Sequence, residues 1–400
     1  MKKWFYLCAA ALGLSACIYP YEVQLDSTET EKVLVVDGNI VAGGVSTVYL
    51  SYMIPFSSDG WFFSLPEGGK VWIEDETGKQ YPGRQVIQDS PEGIDWTSSS
   101  FIPGVYRGSS VPFVVPTEDA ATGHRYRVLV EADGERYVST WQEPSPVPQI
   151  KDVYFEADDN YVYVYVDLDK ADGGGSGYLN LTYDEAWEFH TDYEPDFFVN
   201  TSSWTYYQDP MYQNPNTWCY QTYSPGRRIL VDYTQLNQGE VKHFLVHSFP
   251  RNNRRLHRKY GITVTAMSMT REAYLYNRQT QQQSDAGGDL FTPDPGAIAG
   301  NLRCESTPEK PVMGMVTAGV SSFRRGSLGS QYSLYRPATY SWLFPETQED
   351  MMELYYKVNY RPVKKVLMDD VEQIGWGPLS CIDCIAAGGT KQKPDFWDEY

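Results

Sequence analysis

Four cysteines, two histidines, three aspartates and one aromatic segment are the residues whose type and spacing could do chemistry in this chain. Cys381-Ile382-Asp383-Cys384 is a C-x-x-C pair, which admits redox exchange, part of a zinc site, or a disulfide staple. Redox exchange wants the pair at a strand-to-helix start, where the helix dipole lowers a thiol pKa. Here the pair follows Gly375-Trp376-Gly377-Pro378 and runs into Ala386-Ala387-Gly388-Gly389, with no helix signal. A zinc site would recruit Cys219 and Cys304 as well. His243 and His247 stand four apart in "KHFLVHSF". On a helix that spacing could bind a metal, but the flanking alternation reads as strand and no glutamate completes H-E-x-x-H. Asp167, Asp169 and Asp172 crowd the turn "DLDKADGGGSG", and calcium favours several carboxylates on a bending loop. The spacing misses the EF-hand pattern by one residue and no bidentate glutamate follows, which favours a solvated turn.

Residues 201–226, "TSSWTYYQDPMYQNPNTWCYQTYSPG", are rich in aromatics and amides and poor in charge. Trp204, Tyr206, Tyr207, Tyr212 and Trp218 are the candidate platform for a glycan or peptide ligand. The competing interpretation, which carries more weight, is a long ordered loop pinned over a sheet by Cys219. "RNNRRLHRK" gathers Arg251, Arg254, Arg255, Arg258 and Lys259, a surface for an acidic partner or, more commonly, a solvated connection. No G-x-S-x-G elbow, P-loop or dinucleotide fingerprint is present, and Tyr178 stands where "GGGSGY" would need its last glycine. The five histidines nominate no base, so no catalytic residue and no cofactor is expected. A glycosidase pair hidden among the many carboxylates would need a cleft with two carboxyl groups about 5–10 Å apart.

The compartment decides among the cysteine chemistries. Lys2 and Lys3 precede an apolar stretch, Trp4 to Leu14, that is too short to span a bilayer. Leu14-Ser15-Ala16-Cys17 resembles the bacterial lipobox, which makes residues 1–16 a lipoprotein signal peptide and Cys17 the lipidated N-terminus. No aspartate follows Cys17 to suggest inner-membrane retention, so an outer-membrane lipoprotein is expected, on either side of that membrane. Acyl chains bind the bilayer at roughly 0.8 kcal/mol per buried methylene. Without Lys2 and Lys3, 31 cationic residues face 52 acidic ones, a net charge of −21, which disfavours nucleic acid as a partner. With Cys8 cleaved and Cys17 lipidated, Cys219, Cys304, Cys381 and Cys384 remain, an even number that reads as two disulfides in an oxidising compartment. Joining Cys381 to Cys384 would close only a tiny loop. Joining either to Cys219 or Cys304 would clasp the tail, with Phe396-Trp397 packed beneath.

The elements that must position these residues are mostly strands. After a polar tether over 17–32, short alternating runs begin: "KVLVVDGNIV", "STVYLSYM", "GKVWIEDETGKQY" and "HRYRVLVEADGERYVST". In the last, Asp133-Gly134 marks a tight hairpin, because positive φ is cheap at glycine. These runs predict an immunoglobulin-like β-sandwich over 33–146, ended by the proline-rich "EPSPVPQI". A second β-rich domain over 147–400 holds "YVYVYVDL", "RRILVDY", "VKHFLVHSF" and "YGITVTAMSM", with a helix near 270–283 started by Thr270. A weaker helix is read in "PETQEDMMELYYKV". The predicted fold class is mainly β: two β-sandwich-like domains with one or two short helices in the second.

The lipobox, "KVLVVDGNI", Trp218-Cys219, "YGITVTAMSMTREAYLYNRQTQQQ", "GAIAGNLRC" and "CIDCIAAGGTKQKPDFW" occur in an order that resembles the Bacteroidota outer-membrane lipoproteins of domain of unknown function 4249. The resemblance covers most of the mature chain. It implies a lipid-anchored, β-rich, non-enzymatic protein whose partner is a TonB-dependent outer-membrane transporter, and it brings no catalytic residues. The function expected is an accessory or ligand-binding role in nutrient uptake; the alternative is a structural or adhesive envelope module without a small ligand.

Overall fold

The structure is a computed structural model that describes residues 33–52, 68–85, 111–169, 175–209, 211–234, 240–285, 300–368, 370–394 and 396–399. Cys17, Asp172, the signal peptide and the tether lie outside the described residues.

Eight strands precede the proline-rich connection: β1 (Leu34–Val41), β2 (Gly44–Tyr52), β3 (Lys70–Asp75), β4 (Gln80–Pro82), β5 (Arg84–Gln85), β6 (Val111–Thr117), β7 (Tyr126–Ala132) and β8 (Glu135–Ser139). After it come β9 (Ile150–Ala157), β10 (Tyr161–Leu168), β11 (Tyr178–His190), β12 (Phe198–Asn200), β13 (Thr205–Tyr207), β14 (Trp218–Tyr223), β15 (Ile229–Asp232), β16 (Val241–Pro250) and β17 (Lys259–Ser268). The helix α1 (Arg271–Asp285) leads to β18 (Leu302–Cys304), β19 (Val312–Gly319) and β20 (Ser321–Gly329). A second helix, α2 (Gln348–Tyr356), precedes β21 (Tyr360–Met368) and β22 (Val371–Pro378). The fold is mainly β, as the alternation predicts.

The first core lies between two five-stranded sheets, ordered β19-β1-β2-β6-β5 and β18-β8-β7-β3-β4. Alternate residues such as Val36, Leu50, Ile73, Val115 and Val128 meet in one buried cluster. Each such side chain contributes about 1.5–3 kcal/mol by leaving water. The β7–β8 hairpin turns at Asp133 and Gly134, both with positive φ, as a two-residue primed turn requires. Two strands come from far along the chain: β19 pairs parallel with β1, and β18 pairs with β8. The seam requires glycine at 314, where φ is +119° and a Cβ would stand 1.9 Å from the Val36 carbonyl oxygen. The expected N-terminal domain over 33–146 is therefore corrected: its core also takes Cys304, Val316 and Ala318. Local alternation cannot reveal a parallel partner that enters after some 270 intervening residues.

A three-stranded sheet, β16-β10-β9, covers a second sheet ordered β14-β11-β17-β20, with β15 beside β11. Val162, Val164 and Val166 of β10 meet Leu179, Leu181, Ile262 and Val264 in the second core. Thr270 caps α1, its hydroxyl oxygen accepting from Ala273 N–H at 3.2 Å. The helix packs Ala273 and Tyr274 on Met315 of β19 and Leu230 of β15, bridging the two cores. α2 starts in a capping box between Thr347 and Asp350.

The expectation of two disulfides is corrected to one among these four cysteines. Cys219 and Cys384 are bonded across 165 residues, with Cα atoms 5.6 Å apart. Cys304 is a buried thiol in the first core, and Cys381 is a buried thiol in a separate small cluster with Val363 and Ile382. Two thiols held in different cores cannot meet. The tail is also zipped to β14, because Tyr220 and Thr390 exchange backbone hydrogen bonds of 2.8 Å. Trp397 is buried edge-on against Tyr220, 5.4 Å between centroids.

Candidate ligand-binding face

The aromatic residues predicted over 201–226 do not form one platform. Trp204 sets its ring against Tyr355 and Tyr356 of α2, with centroids 6.0 and 5.9 Å away. The Tyr206 hydroxyl accepts a hydrogen bond of 2.9 Å from the Trp376 indole, which is fully buried. Tyr207 and Tyr212 are exposed and each rests against Phe198, at 5.5 and 4.7 Å. Trp218 stands edge-on to His190 at 4.5 Å, and the Arg258 guanidinium lies 4.9 Å from its centre. Four small groupings thus replace the expected surface, because the segment turns into the β12–β13 hairpin before reaching β14.

The other candidates are also separated. A bulge in β16 divides His243 from His247: pairing with β10 shifts register between Val164 and Tyr165. His243 has φ +52° and an exposed ring, whereas His247 turns inward toward Tyr183 and Glu185. Asp167 accepts from His243 N–H at 2.8 Å and from the Tyr154 hydroxyl at 3.2 Å, and Asp169 lies 3.8 Å from Lys151. Among the described residues no group of three metal-ligating side chains occurs.

The basic segment is also committed to contacts within the fold. Arg251 donates to the carbonyls of Tyr332 and Asp158, and Arg258 pairs with Glu188 at 2.9 Å. Arg255 holds Glu185, whose side chain is 0 % exposed, through Nε at 3.0 Å and Nη2 at 3.2 Å. The Tyr260 hydroxyl donates to the same carboxylate at 2.7 Å, and His247 Nε2 lies 3.3 Å away. Burial alone would raise the Glu185 pKa, but His247, Arg255 and Tyr260 together outweigh it and hold the carboxyl below its ordinary range. The Arg255 guanidinium lies 4.6 Å from the Trp187 ring.

The aromatic surface that does exist lies on the outer side of the β16-β10-β9 sheet. In "YVYVYVDL" the valines face the core, so period two sends Tyr161, Tyr163, Tyr165 and Asp167 outward. Neighbouring rings are spaced 6.4 Å along the strand. Tyr154 of β9 stacks at 5.8 Å from Tyr165, and His243 stacks on its other neighbour position at 3.9 Å. Leu245, opposite Tyr165, is 46 % exposed, and Tyr161 is 43 % exposed. Carboxylates orient the rings: Asp158 accepts from Tyr163 at 2.7 Å, and this bond is the main cause of the raised Tyr163 pKa. Tyr154 also hydrogen-bonds His243 Nδ1 at 3.0 Å, and burial together with Asp167 raises its pKa. A left-handed histidine at a bulge is strained backbone, retained where it aims a side chain. The Tyr-Val alternation was the signal in the sequence. Which residue type faced outward was settled only by the opposing sheet.

Fold and face together define a mainly β protein with two facing-sheet cores and a tyrosine ladder laid on the outside of the second. The profile of the family described as "Domain of unknown function (DUF4249)" matches residues 18–325, and the chain belongs to that family. A search of curated proteins found no match to it.

Proposed function

We propose that this protein is a lipid-anchored outer-membrane accessory that binds a neutral glycan and serves a TonB-dependent uptake system. The observation that carries the binding reading is the tyrosine ladder of Tyr154, Tyr161, Tyr163 and Tyr165 with His243. Flat π-faces in a row stack against the C–H faces of successive sugar rings, and neighbouring carboxylates accept sugar hydroxyls. Asp152, Glu156, Asp158 and Asp167 at the rim favour a neutral chain over an acidic one. The lipobox at Cys17 and the family resemblance support the anchor and the transporter partner. Binding without catalysis is the simpler account of a face on which the Tyr154 and Tyr163 hydroxyls are committed to Asp167 and Asp158.

Affinity electrophoresis of the purified full chain through gels containing neutral polysaccharides tests the binding half. Retardation that disappears in Tyr163→Ala/Tyr165→Ala is expected; equal mobility of a folded variant and the parent would remove the ladder from the proposal. Capture from detergent-solubilised membranes tests the partner, and recovery free of any TonB-dependent barrel would count against it. A structural or adhesive module predicts that neither measurement responds.

A further inference from the structure

A separate cleft of about 290 Å3 opens where α1 meets β15. Arg227, Arg228 and Arg278 line it, with Ile229, Leu230 and Tyr274 supplying apolar wall. Arg228 is committed: its Nη2 lies 2.6 Å from Asp37, Nη1 reaches Asn277, and its carbonyl accepts from Gln281 at 2.8 Å. That set ties β15 and α1 to β1 of the first sandwich. Arg227 and Arg278 have no ion-pair partner among the described residues. Asp184 accepts from Ser224, and Asp232 accepts from Thr234 at 2.6 and 3.0 Å; neither carboxylate forms an ion pair with Arg227 or Arg278. Those bonds to Thr234 lower the Asp232 pKa most, with smaller contributions from Arg278 and Arg271.

Two guanidinium groups without an ion-pair partner among the described residues, set over an apolar wall, are conspicuous in a chain of net charge −19. A stacked neutral glycan has no use for them, and they lie on different elements from the tyrosine ladder. We propose that this cleft binds a small organic anion. Its carboxylate or phosphate lies between Arg227 and Arg278, and its body packs on Ile229, Leu230 and Tyr274. Guanidinium forks match either oxyanion in a two-point geometry. The volume sits at the lower end for ligand pockets, which fits a monosaccharide-sized acid and not a chain.

Titration calorimetry on the purified full chain at low salt tests this with three probes: inorganic phosphate, glucuronate and uncharged glucose. Saturable one-to-one binding of an anion, with none of glucose, is expected. Glucuronate binding alone assigns a carboxylate ligand, and phosphate binding alone a phosphorylated one. Arg227→Gln/Arg278→Gln should weaken the bound anion by roughly tenfold or more, as loss of charge-assisted hydrogen bonds implies. Arg324→Gln on β20 is the control and should leave affinity unchanged. Circular dichroism and Tm matching the parent establish that the double variant is folded. No saturable binding of either anion, unchanged affinity in the folded double variant, or equal loss in the control overturns the proposal.

Discussion

Replacing Arg255 by methionine tests whether the basic segment is part of the interior and not a docking surface. The substitution keeps a long apolar stem over Trp187 but strips two charge-assisted hydrogen bonds from a carboxylate that is 0 % exposed. At roughly 1.5–3 kcal/mol each, the pair sums to about 3–6 kcal/mol, in line with about 3–5 kcal/mol for breaking a buried ion pair. Tyr260 and His247 remain beside Glu185, so the lower half of that range is expected. The penalty should depend on pH. Glu185 in the parent has a depressed folded pKa, so its contribution is present above the unfolded value and is lost as pH falls through the folded one. Without Arg255 that depression weakens or reverses. The gap between parent and variant should therefore be widest near pH 7 and narrow as the pH falls below about 4.5.

Urea unfolding followed by tryptophan fluorescence measures the gap at each pH, with Trp187 reporting beside the site. Glu185→Gln in the Arg255→Met background should recover part of the loss, since it removes the uncompensated buried charge. A folded Arg255→Met protein within about 1 kcal/mol of the parent at pH 7, with no pH dependence, would refute the argument. It would return Arg255 to the set of free surface cations.

Four further outcomes are expected. Tyr163→Ala/Tyr165→Ala should weaken glycan retention by roughly tenfold or more while leaving Tm nearly unchanged, because both rings lie on an outer face. Reducing Cys219–Cys384 should destabilise the chain by up to about 5 kcal/mol in the chain-entropy limit for a loop of this length, read as a shift in the urea midpoint. In the native protein at pH 8, Cys381 should resist iodoacetamide, because burial and then Asp192 push its thiol pKa up to about 12; rapid labelling seen by mass mapping would contradict its burial. Gly314→Ala should cost roughly 1–3 kcal/mol or more, since its Cβ would strike the Val36 carbonyl; an unchanged Tm would undo the β1–β19 seam.

Local pattern determined the local elements of this protein. Period-two alternation marked β1, β2, β7, β10, β16 and β17, Asp133-Gly134 marked a hairpin, and Thr270 marked the start of α1. Each is encoded within a few residues by propensity, turn chemistry or capping, so each is legible without a partner. Tertiary structure decided what depends on distant contacts. It brought β18 and β19 into the first core, joined Cys219 to Cys384 in preference to other pairs, and turned Arg255 of "RNNRRLHRK" inward onto Glu185 while Arg258 stayed on the surface beside Glu188. It also chose which residues form the outer ladder. Tyr and Val alternate equally well in either orientation, and only the apolar sheet across the second core made valine the inner residue and tyrosine the outer one. The physical reason is the same each time: a pattern says which residues share a side, whereas the opposing surface says what that side meets.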